Sequence, residues 1–417
     1  MTPGTRSPGR VLAGVPARLQ FCMLLLVLTT VGWRRGTYFA GSVDPVVAAK
    51  AALSVVALLV AWSCTRRPHL RVGTGTLWAL GVLLAASVLG ALTHGPLVAG
   101  AVVAARATIL ALTVVLLLRC WTATQFFTAL AHACAAVGGL AAVTGVPTLS
   151  GGRLAGGVPE VDPNTLALLA CIVVLHAGWR VAVVGAGAGA GAVAAVALGV
   201  IWATGSRTAL LMLVPALLVM ALHLRRARIG LVVGALLAAA AATLAVFLTD
   251  ALGAFLERDG AGTSTVQSRF IAWDAATSWA DDAWQLAFGG GLSVKIIPVK
   301  GQYWTEQPLD SSWVSLLVQT GLVGLLVAGT WVLWTVRGAL LAPRAHRALF
   351  LGLLVFVLGR SVLESGLFDA TPEFLALLAV SLLAEGGSRR RLTGEVEARG
   401  AEPVVPGGGP RTVALTG

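Results

Sequence analysis

Four side chains stand out for the chemistry they could do: Arg207, Arg269, Glu306 and Asp310. Arg207 sits in Gly205-Ser206-Arg207-Thr208, a tight turn between two apolar stretches that leaves it little freedom. A guanidinium presents a planar fork that matches phosphate and stays charged at any physiological pH. The same residue at a membrane boundary also serves as an anchor, with its stem in apolar surroundings and its head among lipid headgroups. Arg269 begins a helical pattern inside a long polar stretch. Alone it reads as a solvated charge; paired with Arg207 on the same side, it would complete a clamp for a diphosphate. Arg34, Arg35 and Arg153 are further cations on that side. The polar stretch also holds the acids Asp274, Asp281, Asp282, Glu306 and Asp310. Asp310 directly precedes Ser311-Ser312-Trp313, where an apolar stretch resumes, so Asp310 or Ser311 is placed to cap a helix. A cap and a catalytic acid are compatible roles.

Other chemistries lack their residues. His94 is the one histidine on the same side as these groups, which argues against a metal site built on two or three histidines. Cys22, Cys64, Cys120, Cys134 and Cys171 form no Cys-x-x-Cys pair, so neither a metal cluster nor a disulfide framework is indicated. Nucleotide-binding glycine motifs are missing, as are Gly-x-Ser-x-Gly and His-Glu-x-x-His. No cofactor is expected.

The elements that must position these residues are membrane spans. The chain has 417 residues, 57% hydrophobic and 12% charged, where soluble domains carry about 25% charged residues. Apolar runs at 19–33, 45–64, 74–93, 97–118, 124–145, 164–179, 182–204, 208–224, 229–249, 312–335, 348–364 and 372–385 give about twelve candidate transmembrane helices. The net charge of +12 lies in loops, in alternate ones such as Arg66-Arg67, Arg225-Arg226 and Arg389-Arg390-Arg391. That is the positive-inside pattern of a multi-pass protein with both ends cytoplasmic, not a nucleic-acid footprint. The fold expected is an all-α polytopic helix bundle, with a cytoplasmic basic arm at 1–18, a membrane domain at 19–385 and a disordered cytoplasmic tail at 386–417.

One extracytoplasmic loop, 250–311, runs for roughly 60 residues, far beyond usual loop lengths. Within it Ser268–Phe288 reads as an amphipathic helix, with Phe270, Trp273, Thr277 and Trp284 near one face. It would lie flat at the outer surface or pack on the bundle's top. Gly289-Gly290-Gly291 would end it. The alternating Gly-Ala run Gly185–Gly191 suits close helix approach. Arg106, deep in a span, calls for a partner in the bundle interior. Arg360 and Glu364 are spaced to pair on one helix face.

The order of pieces resembles the bacterial O-antigen ligase and O-antigen polymerase superfamily. Asp162-Pro163-Asn164-Thr165 and Gly205-Ser206-Arg207-Thr208 each open a span; Ser268-Arg269 and Trp273, the glycine run, Asp310-Ser311-Ser312-Trp313 and Gly321-Leu322-Val323-Gly324 follow. The resemblance covers roughly residues 145–330. It implies a metal-independent glycosyltransferase of the inner membrane, active at the outer face. Such an enzyme moves saccharide from a polyprenyl diphosphate carrier to an acceptor hydroxyl on a glycan or lipid. It implies that Arg207 and Arg269 hold the diphosphate. Ligases of the family carry a histidine where this chain has Asp310. A free Asp, with a pKa of about 3.9, is a weaker base than a free His at about 6.5. Asp310, with Glu306 as second candidate, is then the group to orient or deprotonate the acceptor. Ligase and polymerase both remain open, as do a lipid-linked saccharide flippase and a non-catalytic assembly subunit.

Overall fold

The computed structural model describes residues 14–34, 45–66, 70–185, 188–224, 265–299 and 305–400. The expected span at 229–249 and the first part of the long loop, 250–264, lie outside them. Among the described residues the chain runs α1 (Ala17–Thr30), α2 (Pro45–Ser63), α3 (Gly75–His94), α4 (Leu97–Cys120), α5 (Ala123–Gly145), α6 (Pro163–Trp179), α7 (Ala188–Thr204) and α8 (Arg207–Leu222). The long loop contributes α9 (Thr265–Thr277), α10 (Ala283–Phe288) and a two-stranded hairpin of β1 (Ile296–Pro298) and β2 (Glu306–Pro308). Then come α11 (Ser312–Leu340), α12 (Arg344–Ser361), α13 (Pro372–Ala384) and α14 (Gly386–Gly400).

Six of the described helices or helical stretches are long and apolar enough to cross a membrane, and α1, α7, α8 and α13 are shorter apolar helices. Large apolar side chains such as Leu59, Trp78, Val196, Leu211, Leu326 and Leu333 point outward and stay exposed. A band of that kind belongs against lipid, where no water competes for the backbone and every span must close its own hydrogen bonds. The opposite condition holds at the centre. Every residue of α13 is buried, as is α6 from Leu166 to Ala177. Around them α8 packs along α12, α7 along α6, and α3 along α11.

Local sequence fixes where several helices begin. Thr122 and Gln125 form a reciprocal capping box at the start of α5. Asp162 caps α6 by accepting from the Thr165 N–H at 2.9 Å, with Pro163 in the first turn. Thr371 and Pro372 repeat the device on α13.

Four expectations are corrected. The described glycines of the Gly-Ala run do not form a packing seam: a Cβ at Gly185, Gly189 or Gly191 would meet nothing within 4 Å. Arg360 pairs with Glu373 of α13 instead of Glu364, whose carboxylate is taken by Arg269 and Asn164. The amphipathic segment is two helices, split where Asp282 caps α10 through the Gln285 N–H at 2.7 Å. The surface that α9 buries is Ala272 and Ala276, while Phe270 stays exposed. The expected tail is helical over 386–400 as α14. Arg106 finds its partner at the end of α1, donating to the Thr29 carbonyl at 3.1 Å, and Lys50 donates to Val31 O at 2.8 Å. Both cations meet carbonyls that a helix C-terminus leaves open.

Candidate active site

The site is built around a break in α11. Gly321 has φ 63°, ψ −164° inside an otherwise continuous helix, a conformation that glycine adopts without steric cost. Breaking the ladder frees main-chain carbonyls one turn earlier. The glycine run uses them: Gly290 N–H donates to Val318 O at 2.9 Å, and Gly291 N–H to Gln319 O at 2.8 Å. Contact is too close for side chains. A Cβ on Gly289 would collide with the Gln319–Thr320 backbone, and one on Gly321 with Ala287 and Phe288. On the other side the run lies against Gly90 and Ala91 of α3 and the Gly95 that follows it. The loop is thus wedged between α3 and the break.

From this anchor the chain returns to the bundle through the hairpin. Ile296 pairs with Pro308 and Pro298 with Glu306, and Leu309 N–H donates to Lys295 O at 3.0 Å. Helix α9 rests on the hairpin through Ala276, packed with Ile297, Leu309 and Val318. That packing carries Arg269 over the start of α11.

Arg269 lies between two carboxylates. Its Nη2 is 3.4 Å from Glu364 Oε1, and its Nε is 3.7 Å from Asp310 Oδ2. The second separation exceeds hydrogen-bond range. Nε is buried and makes no hydrogen bond among the described residues. Glu364 also accepts from Asn164 Nδ2 at 3.0 Å. Asn164 Oδ1 accepts from Arg153 Nη2 at 3.1 Å, and Arg153 Nε donates to Thr204 O at 2.9 Å. This chain of bonds ends at the turn that presents Arg207, where Ser206 Oγ is buried and likewise lacks a hydrogen bond among the described residues. Ser312 holds the 362–371 loop in place: its N–H and hydroxyl donate to Glu364 O at 3.1 and 2.8 Å, and the hydroxyl accepts from Leu367 N–H at 3.1 Å.

The charges are unevenly compensated. Burial raises the Asp310 carboxyl above its ordinary value, with Arg269 pulling the other way and only partly offsetting it. Burial also raises Glu364, against the pull of Arg360 and Arg269. Beside them Asp369 holds Lys295 at 2.8 Å. Burial would raise this carboxyl too, but Lys295 and Arg106 outweigh it and bring it below the usual range.

Of the residues singled out by sequence, the structure brings Arg269 and Asp310 together and joins the Arg207 turn to them through Arg153 and Asn164. Asp310 caps nothing; Ser311 is the residue at the cap position, and its hydroxyl points to Ser361 O at 3.5 Å instead. Glu306 sits on the hairpin, exposed, in register with Pro298. Sequence reasoning missed Glu364 as the partner of Arg269 and gave Asn164 no role. The usable signal for Asn164 was the Asp-Pro-Asn start of α6, which fixes its side chain at the outer helix end.

Residues 192–329 match the family model described as O-antigen ligase. That match supports membership of the O-antigen ligase superfamily. A search of curated proteins finds no match. The O-antigen ligase segment includes Arg207, the glycine run, Arg269, Glu306, Asp310 and the break at Gly321. Arg153, Asn164 and Glu364 lie outside it and are supplied by neighbouring elements. The superfamily and the apolar helices together point to a bacterial inner-membrane protein of polysaccharide assembly.

Proposed function

We propose that the chain is a membrane glycosyltransferase of the O-antigen ligase and polymerase type, working on the outer face of the inner membrane. Its donor is a glycan on a polyprenyl diphosphate carrier; its acceptor is a hydroxyl of a glycan or lipid. The acceptor oxygen attacks the anomeric carbon of the donor. The bond from that carbon to the diphosphate breaks, and the diphosphate leaves with the bonding electrons. The acceptor proton passes to the Asp310 carboxylate, whose pKa burial raises toward a useful base. Arg269 and Arg207 stabilise the charge that grows on the leaving diphosphate. Fixed guanidiniums beside low-dielectric surroundings are well suited to this. Glu364 and Asn164 hold Arg269 in place.

The observation that carries this reading is the Arg269 guanidinium. It lies beside Asp310 inside the O-antigen ligase segment, and its buried Nε–H makes no hydrogen bond among the described residues. The test is surface glycan output, with lipid-linked intermediates followed by mass spectrometry, in cells making each variant at matched protein level. Arg207→Ala and Arg269→Ala are each expected to lower transfer by about 10²–10³. Asp310→Asn is expected to lower it by a similar factor and to leave intact donor on the carrier. Full glycan output from either arginine variant would refute the site assignment.

A further inference from the structure

At the end of the bundle opposite Asp310, where α11 finishes and α14 lies across the helix ends, a second arrangement is unexplained by glycan transfer. Helix α14 has a clear inner face. Ser388 and Leu392 are fully buried, Arg391 donates to Leu118 O and Trp121 O at 2.6 Å each, and Glu395 accepts from the Ala123 N–H at 3.2 Å. Just before it, Glu385 accepts from Gly75 N–H at 3.0 Å and Thr76 N–H at 2.7 Å. Both carboxylates are therefore consumed at the N-termini of α3 and α5, where a helix favours negative charge. What remains facing outward is basic. A cleft of about 850 Å³ between the α11–α12 turn and α14 is lined by Arg344, Arg347, Arg389 and Arg390, together with Gly386 and Gly387 and no acidic residue.

Arg347 spends part of its guanidinium on Ala342 O, at 3.0 and 2.9 Å. Arg344 and Arg390 are exposed and make no hydrogen bond or ion pair among the described residues. The cleft also has an apolar margin. Leu341 is 57% exposed on its edge, and Leu340, Leu333 and Trp334 continue that exposed surface along α11 toward the membrane interior. A soluble anion would have use for the arginines alone. A molecule with an anionic head and apolar chains uses both.

We propose that this cleft is a binding site for the headgroup of an anionic phospholipid, with the acyl chains lying along Leu333, Trp334 and Leu340. Guanidinium forks on two facing elements can take a phosphate from both sides, and basic clefts on the cytoplasmic side of a membrane protein attract anionic lipids. The proposal is independent of the transfer reaction. It is tested on the full chain in detergent, titrated with phosphatidylglycerol or with phosphatidylcholine of the same acyl chains and read by native mass spectrometry. Wild type is expected to retain phosphatidylglycerol in preference. The double variant Arg344→Gln/Arg390→Gln is expected to weaken that binding by roughly thirtyfold, as for two basic contacts at a lipid surface. Arg18→Gln/Arg119→Gln removes the same charge from the same end of the bundle, outside the cleft and away from Trp334, and is expected to leave binding unchanged. Equal loss in the two double variants would show a diffuse charge effect and overturn the site. So would a wild type that does not discriminate between the two lipids.

Discussion

Arg269 is shared between two carboxylates that differ in what they can do. Glu364 has its oxygen occupied by Arg269 and Asn164, which suits a residue that positions another. Asp310 is closer to solvent, and Arg269 stands just beyond hydrogen-bond range. A base must be ionised to act, so activity should fall as pH drops through the Asp310 pKa. Because burial outweighs Arg269, that acid limb is expected above the ordinary carboxylate value of about 4. Glu364→Gln leaves Asp310 as the sole carboxylate beside Arg269 and removes a neighbouring negative charge. Both changes lower the Asp310 pKa, so the acid limb of the transfer rate should move to lower pH. An acid limb that stays put in this variant would show that Asp310 does not set it. Arg269 and Asp310 were legible in the sequence because each marks a local event, the start of a helix and the return into the membrane. Glu364 was not, because its partners come from α6 and α9, far away along the chain.

Among the elements, the helix break matters most. Gly321→Ala would place a Cβ at φ 63° and into the Ala287–Phe288 backbone. Strain at such a position costs about 1–3 kcal/mol, and undocking the glycine run would add to it. A clear drop in melting temperature, with loss of transfer, is the expected result. Gly329→Ala, on the same helix with nothing within 4 Å of the added carbon, should be neutral or slightly stabilising; comparable damage from both would mean that the break is not what matters. The apolar helices could be read from composition, since a run of about 20 apolar residues has few other uses. The hairpin could not, because strands of three residues carry no periodicity. Helix α14 was hidden by its Gly, Arg and Glu content, which suggests a tail. It is held by Leu392, Arg391 and two carboxylates whose targets lie on α3 and α5.

For the molecule as a whole, we propose from the basic loops and the helix order that the hairpin end faces outside and α14 inside. Cysteine labelling checks this directly. The five native cysteines are buried or half-buried, so the background is low. Thr277→Cys, at an exposed position on α9, should react with a membrane-impermeant maleimide in intact cells; Arg390→Cys should react only after the membrane is opened. Labelling of Arg390→Cys in intact cells would reverse the orientation and remove the site from the outer face.

The glycine run grips α11 through main-chain atoms alone. Such a joint has no preference for the side chains beyond it. The joint therefore constrains where the hairpin leaves the bundle but not which side chains its exposed positions carry, Ile296 and Glu306 among them, whereas the buried Ile297 stays tied to α9.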